Sequence, residues 1–177
     1  MTARRRLGLL AAAVALVGAV PGVGSAASAD PASTLVGCDR AADRVVLTAS
    51  AHLDPSCTYT AGFEITASHV TLDCAGATVR SAPGAAGVGI LIHAPADADL
   101  TDVTVRNCTV EGFLNSMRVT RDGFRDLAAG NEFDHGTSAI TLAANRVSES
   151  RGVGLYVDGY VAGISILDNV VQGAGSS

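Results

Sequence analysis

Short segments with alternating aliphatic residues recur along the second half of the chain. Each begins with an aliphatic residue, a small hydroxyl residue and a second aliphatic residue, and two variable positions then precede Cys or Asn. The segments cover residues 103–110, 140–147 and 164–171, and their sixth positions hold Cys108, Asn145 and Asn169. The alternation predicts β-strands, because an amphipathic helix would need apolar residues at i, i+3, i+4 and i+7. The 24-residue spacing from Asn145 to Asn169 is typical of stacked repeats.

Such a strand cannot bury its apolar face alone. Coils stacked about 4.8 Å apart would align the aliphatic residues in one column and pair the backbones in parallel. An Asn after each strand suits a turn because its amide tolerates the left-handed conformation, and stacked amides also hydrogen-bond from coil to coil. The sequence therefore predicts an all-β fold, a parallel β-helix.

A second type of strand predicts an outward row of functional side chains. In residues 89–92, 116–119 and 154–157 the second and fourth positions are apolar and are expected to point inward. The position between them then faces outward, and it holds Leu91, Arg118 and Tyr156. Two residues further on, a second outward column holds His93, Thr120 and Asp158. Together with Arg121, this face is the predicted binding surface, since diverse functional groups line up on it.

Two of the four cysteines predict a clamp near the N-terminus. Cys38 and Cys57 flank residues 45–47, the expected first strand, and a disulfide between them would hold a cap over the first coil. A metal site or a pair of reactive thiols is the alternative.

The other two cysteines predict a disulfide between coils. Residues 70–72 match residues 103–105, so Cys74 and Cys108 fall at nearly the same place on neighbouring coils. The alternative is that both are small buried apolar residues.

The N-terminus has the organisation of an export signal. Residues 4–6 are three Arg, residues 7–20 are apolar, and residues 27–29 form an A-x-A cleavage site. We therefore expect a signal peptide over 1–29, a lead and cap over 30–62, and β-helix coils over 63–177; an uncleaved anchor is the alternative. Because the last repeat turn is followed by no closing cap, we also expect the sequence to be a fragment of a longer β-helix.

Charge and composition exclude several partners. Cleavage after Ala29 would remove three of the 12 basic residues and none of the 17 acidic ones, leaving nine against 17 and a formal net charge of −8. A chain this acidic, without a basic stripe, is a poor candidate for binding nucleic acid or an anionic membrane. After cleavage we expect no membrane span. Oligomeric state is not predicted.

The interval from Thr120 to Ser138 has no clear register. Leu127–Asn131 resembles another repeat turn, but Asn145 follows too soon for an ordinary coil. The interval is either one irregular coil or a loop that projects from the stack, and Ala139–Leu142 aligns with either strand type.

The openings V-T-L-D-C (70–74) and V-T-V-R-N-C (103–108), with the pattern from Asn145 to Val157, resemble a known group. They are similar to the right-handed parallel β-helix proteins of the pectin-lyase-like superfamily, including exported actinobacterial members. The Ala/Gly/Val/Arg-rich, Lys-free composition suits a high-GC bacterium, so the expected location is secreted or on its cell surface. The resemblance implies a polysaccharide lyase, a uronate C5-epimerase, a glycoside hydrolase or a repeat protein without catalysis.

Lyase chemistry, as the resemblance implies it, needs an Arg or Lys base and acidic residues that hold calcium. Arg118 and Arg121 are candidates for the base. Asp97, Asp99 and Asp102 form an acidic run in an expected loop, where calcium is a candidate cofactor and a solvated turn is the alternative. No His/Cys spacing predicts a transition-metal site, and His52 and His69 are expected in surface turns.

Hydrolases need two or three neighbouring carboxyl groups as acid and base. Asp158 lies on the predicted face, whereas Asp122 and Asp134 have no fixed register. Epimerases pair Asp with His near a Tyr, and Asp134, His135 and Tyr156 are candidates, although the Pro of the epimerase motif is missing between Asp134 and His135.

Two hypotheses follow. The first is an exported β-helix protein that binds or processes an extracellular polysaccharide through Leu91, Arg118 and Tyr156. The second is a non-catalytic solenoid that serves as a surface, adhesion or protein-interaction module.

Overall fold

The structure is a computed structural model that describes residues 33–84, 87–123, 125–126 and 136–175. The predicted export signal at 1–29 lies outside the described residues. No helix in the described ranges is long and apolar enough to cross a membrane.

The described strands, numbered β1 to β17 in chain order, form three sheets in which neighbours pair in parallel. Sheet A contains β1 (Thr34–Val36), β3 (Ala51–Leu53), β6 (Thr71–Asp73), β9 (Leu100–Arg106), β12 (Thr137–Ala143), β15 (Val161–Ala162) and β16 (Ser165–Leu167). Sheet B contains β2 (Val45–Leu47), β5 (Phe63–Ile65), β8 (Val88–Ala94), β11 (Asn115–Arg121) and β14 (Val153–Val157). Sheet C contains β4 (Thr58–Tyr59), β7 (Thr78–Arg80), β10 (Thr109–Glu111), β13 (Arg146–Ser148) and β17 (Val170–Gln172).

From β2 onward the chain visits the sheets in a fixed order, B then A then C, and returns to sheet B one coil further on. Thus β5, β6 and β7 form one coil, and β8, β9 and β10 form the next. This topology is a parallel β-helix, which confirms the predicted fold class. A 3₁₀ helix, Cys38–Arg40, lies between β1 and β2.

The interior contains apolar columns in which residues at the same strand position on successive coils stack on one another. Val103 pairs in register with Ile140, and Val105 pairs with Leu142, as the repeat alignment predicted. All four side chains are buried. Burying an aliphatic side chain of this size contributes about 1.5–3 kcal/mol, so the stacking of coils itself stabilises the fold. Ile166 continues the column on the last described strand of this sheet but is half exposed.

The Asn ladder exists, but its turns are made differently from the prediction. The amide oxygen of Asn145 accepts from the backbone N–H of Cys108 at 3.0 Å, and the amide oxygen of Asn169 accepts from the backbone N–H of Asn145 at 2.9 Å. The left-handed residues are instead the preceding ones, Ala144 (φ 53) and Asp168 (φ 54). The ladder Asn is therefore selected for its inward hydrogen bonds and not for its backbone conformation.

Both predicted disulfides are present. Cys38 joins Cys57 with a Cα–Cα distance of 5.4 Å, and Cys74 joins Cys108 with a distance of 4.8 Å. Closing loops of 19 and 34 residues stabilises the folded state by about 3–4 kcal/mol each in the chain-entropy model.

The parallel pairing begins earlier than the expected boundary between residues 62 and 63. The first described strand is β1, ahead of the expected Val45–Leu47, and it pairs with β3 in sheet A. β2 pairs with β5 in sheet B. The first disulfide therefore clamps residues that already belong to the coils.

The ambiguous interval connects two faces of one coil. β11 pairs with β8 and β14 in sheet B, and β12 pairs with β9 in sheet A. Residues 139–142 therefore belong to the repeat-type strand of sheet A. The residues between Arg121 and Thr137, called the insertion below, link β11 of sheet B to β12 of sheet A. Residues 124 and 127–135 of the insertion lie outside the described residues.

Candidate functional site

The predicted outward row forms on sheet B. Arg118 pairs in register with Leu91 on one side and with Tyr156 on the other. The row continues from Leu91 to Glu64, which has the same outward position on β5. We call these residues, together with His93, Thr120 and Asp158, the sheet-B face.

The upper part of this face is an Arg–Asp–Tyr cluster. Nε and Nη2 of Arg118 donate to Oδ2 of Asp158 at 2.9 and 2.7 Å. The Arg118 guanidinium also lies over the Tyr156 ring, 5.3 Å from its centroid, at a distance suited to a cation–π interaction. The cluster thus holds the positive charge of Arg118 over the Tyr156 ring and pairs it with the Asp158 carboxylate.

Asp158 is not displayed to solvent as expected; it is 6% exposed, and Thr120 beside it is 9% exposed. The physical reason is that Arg118 reaches across the strand to Asp158 and covers it. Burial by itself would raise the pKa of Asp158, but the nearby hydroxyl of Thr120, the guanidinium of Arg118 and the hydroxyl of Tyr156 outweigh it and lower the pKa. The carboxyl group is therefore an anion at neutral pH.

The lower part of the face holds a histidine between two carboxylates. Nδ1 of His93 lies 3.0 Å from Oε1 of Glu64, and Nε2 lies 2.9 Å from Oδ1 of Asp122. Burial alone would lower the pKa of His93, but the hydrogen bonds to Asp122 and Glu64 outweigh it, so the pKa is raised. In the protonated ring both N–H groups donate to these carboxylates.

A cleft of about 360 Å³ opens on this face at the corner toward sheet A. Its wall is formed by side chains of β8, β11 and the following insertion, including Leu91, His93, Arg118, Thr120, Arg121 and Asp122. Arg125 and Asp126, both exposed, complete it from the insertion. Guanidinium, imidazole, hydroxyl and carboxylate groups therefore converge on one concave surface. Such a surface suits a polar ligand with several hydroxyl or carboxylate groups.

Most of the predicted site residues come together here. Leu91, His93, Arg118 and Arg121 line the cleft, and Tyr156 packs against Arg118 at its border. The Asp134–His135 pair lies outside the described residues.

Sequence reasoning missed the partners of His93. Glu64 is the outward residue of Phe63–Ile65, so its alternation pattern alone would have placed it in the row. Asp122 had no register in the sequence because it begins the insertion. Its hydrogen bond to His93 follows from strand pairing, which sets Arg121 beside Ala94.

The acidic run is dispersed. Asp97 and Asp99 are exposed between β8 and β9, whereas Asp102 lies in β9 and not in a loop. Oδ2 of Asp102 is 3.0 Å from Nδ1 of His69, an exposed histidine. His52, expected in a turn, is the central residue of β3.

One group of three ligand-type side chains lies close together in the described part of the chain: Cys38, Asp54 and Cys57. Because both cysteines are consumed by the disulfide, these residues do not form a metal site.

Comparison of the chain with protein-family models, with curated proteins and with solved structures gives no match.

Proposed function

We propose that this protein is an exported β-helix protein of the pectin-lyase-like type that binds an extracellular, uronate-containing polysaccharide along the sheet-B face. The observation that carries the proposal is the cleft in which His93, Arg118 and Arg121 meet. The secreted or cell-surface location rests on the predicted export signal.

The length of the face suits an extended polymer. Five residues stand in register along sheet B, one from each strand: Val46, Glu64, Leu91, Arg118 and Tyr156. At about 4.8 Å between strands, this row extends for roughly 19 Å, the length of a short oligosaccharide. A polymer chain laid along the row contacts one side chain of each coil.

The chemistry of the face suits uronic acids. The chain as a whole is acidic, so a polyuronate must be attracted locally. Besides Arg118, which is paired with Asp158, Arg121 and Arg125 line the cleft, and their planar guanidinium groups match carboxylates. The Tyr156 ring provides an apolar surface for a sugar ring. The acceptors Glu64 and Asp122 are placed for sugar hydroxyl groups.

Binding is tested with polygalacturonate, pectate and alginate, with neutral dextran as the reference polymer, by titration calorimetry. The informative variants are Tyr156→Ala, which removes the ring, and Leu91→Asp, which adds a negative charge beside Arg118. The matched control is Thr141→Asp, which adds the same charge at an outward position of sheet A.

We expect an acidic polymer to bind more tightly than dextran. Leu91→Asp should weaken binding about fivefold to tenfold, since one repulsion at about 4 Å in water costs about 1 kcal/mol. Thr141→Asp should leave the affinity unchanged. Equal weakening by both Asp variants, or equal binding of all polymers, would contradict the proposal.

A catalytic role is a second candidate, and His93 favours it. A histidine with a raised pKa that contacts an exposed carboxylate, Asp122, can donate a proton at a cleft. The corresponding reactions are those of a lyase, a C5-epimerase or a hydrolase.

Turnover is measured on the same polymers as new unsaturated uronates, new reducing ends or epimerised residues within the polymer. His93→Gln should abolish such turnover, while His69→Gln, which alters a histidine–aspartate pair outside the cleft, should retain it. Binding without turnover in the native protein would instead leave the non-catalytic surface or adhesion role.

A further inference from the structure

Arg121 differs from the other side chains of the cleft in its direction. Along β11 the residues alternate, so that Arg118 points outward and Arg121 points toward the interior at the corner between sheets B and A. Arg121 is 9% exposed. Its Nη2 donates to the backbone carbonyl of Ala96 at 3.0 Å. Within the described residues, its Nε and Nη1 are shielded from solvent and have no hydrogen-bond partner.

The backbone around Arg121 is shaped to fit the guanidinium. A Cβ atom on Gly136 would come within 2.6 Å of Nε and Cζ of Arg121, so any larger residue there would displace the guanidinium from its present position. The next residue, Thr137, is fully buried, and in the described part of the chain its hydroxyl also lacks a partner. An unpaired donor set of this kind, centred on a cation, is unfavourable in a folded interior unless an acceptor completes it.

The corner belongs to the cleft, because Arg121 forms part of its wall beside Thr120 and Asp122. The guanidinium therefore lies at the edge of the cleft and not in the apolar core, although Nε and Nη1 are shielded in the unliganded chain and a small shift of the neighbouring side chains must admit the acceptor. The ligand that fits is an anion with at least one strong acceptor oxygen, since the guanidinium is always charged and donates only.

We propose that Arg121 is an anion-binding residue that takes a carboxylate in this corner, with Nε and Nη1 as the donors. The inference rests on the proposed function in one respect: it assigns that carboxylate to a uronic acid residue of the bound polysaccharide. Arg118 does not serve this purpose, because Asp158 already neutralises it.

The test compares melting temperatures of the full chain with and without small ligands. The probes are galacturonic acid, galactose as its neutral counterpart, and acetate as a carboxylate without a sugar. The test variant is Arg121→Met, which keeps an unbranched side chain and removes the charge. The matched control is Arg80→Met, which removes an exposed arginine of sheet C that pairs with Glu111.

Galacturonic acid, at about 100 times its dissociation constant, should raise the melting temperature of the native protein by roughly 5 °C or more. Galactose should not, and the rise should persist in Arg80→Met and vanish in Arg121→Met. Without ligand, Arg121→Met should melt at the same temperature as the native protein or higher, because an unpaired buried charge has been removed.

Either of two results in the melting assay would overturn the inference. One is a melting temperature of unliganded Arg121→Met several degrees below the native value, since the guanidinium would then be held by structural partners beyond the Ala96 carbonyl. The other is the absence of any carboxylate-dependent shift in the native protein.

The failures of this inference and of the proposed function are distinguishable. If polyuronate binds equally to native protein and Arg121→Met, the inference fails and the proposed function stands. If acetate gives an Arg121-dependent shift as large as galacturonic acid but no polymer binds, the corner binds small carboxylates, and the proposed function fails instead.

Discussion

Asn145 is the residue on which the coil-to-coil stacking can be tested most directly. Its side chain is 1% exposed and lies between two neighbouring coils. Its oxygen accepts from the Cys108 N–H at 3.0 Å, and its nitrogen donates to the Val105 carbonyl at 3.0 Å and to the Asn169 side-chain oxygen at 2.9 Å. We expect Asn145→Ala to destabilise the fold strongly.

The magnitude follows from these contacts. The substitution leaves the Cys108 N–H buried without an acceptor, which costs about 1–3 kcal/mol, and removes two further hydrogen bonds at about 0.5–1.5 kcal/mol each. The expected loss is therefore about 2–6 kcal/mol, a large part of a typical stability of 5–15 kcal/mol. Asn169→Ala is the control, because Asn169 is only partly buried and water can replace its partners; we expect about 1 kcal/mol there.

The assay is equilibrium unfolding in urea, followed by far-ultraviolet circular dichroism, with both disulfides intact. The free energies of unfolding of the native protein and the variants are compared on condition that the slope against urea concentration is the same in all of them. A loss below about 1 kcal/mol for Asn145→Ala, or a loss as large for Asn169→Ala, would refute the role assigned to the buried ladder.

Three further predictions concern the cleft, the packing of the coils and the second disulfide. Because the folded-state pKa of His93 is raised, its contribution to stability should be complete below about pH 6.5 and be lost as pH rises through the folded pKa. The melting temperatures of native protein and His93→Gln, measured across pH 5–9, should therefore converge toward alkaline pH. If the difference grows instead with rising pH, the carboxylate clamp is wrong. Gly89→Ala should lower the free energy of unfolding by about 1–3 kcal/mol, because the new methyl group would lie 2.7 Å from the Ser116 carbonyl oxygen. An unchanged urea midpoint would contradict the close packing of coils. Paired replacement of Cys74 and Cys108 by Ala should cost about 3–4 kcal/mol in the same assay, and no loss would show that the stacked strands need no covalent link.

The sequence by itself determined the class of fold and much of the face. Alternation of aliphatic residues and the recurring Asn specify strands of period two in coils, because one strand cannot bury its apolar side alone. The same alternation placed Leu91, Arg118 and Tyr156 in one outward row, and the repeat spacing paired Cys74 with Cys108. These features are local or periodic, so they can be obtained from the sequence alone.

The tertiary structure decided what those side chains do. The contacts of Asp122 with His93, of Asp158 with Arg118 and of the Arg121 guanidinium with Gly136 all depend on how separate strands stand beside one another. The left-handed turn residues were likewise misassigned, because Asn both tolerates that conformation and forms buried ladders, and only the stacked neighbour distinguishes the two. Periodicity fixes which face a side chain occupies. Burial, pairing and charge at the site arise from contacts between residues 15 to 40 positions apart, which no local pattern encodes.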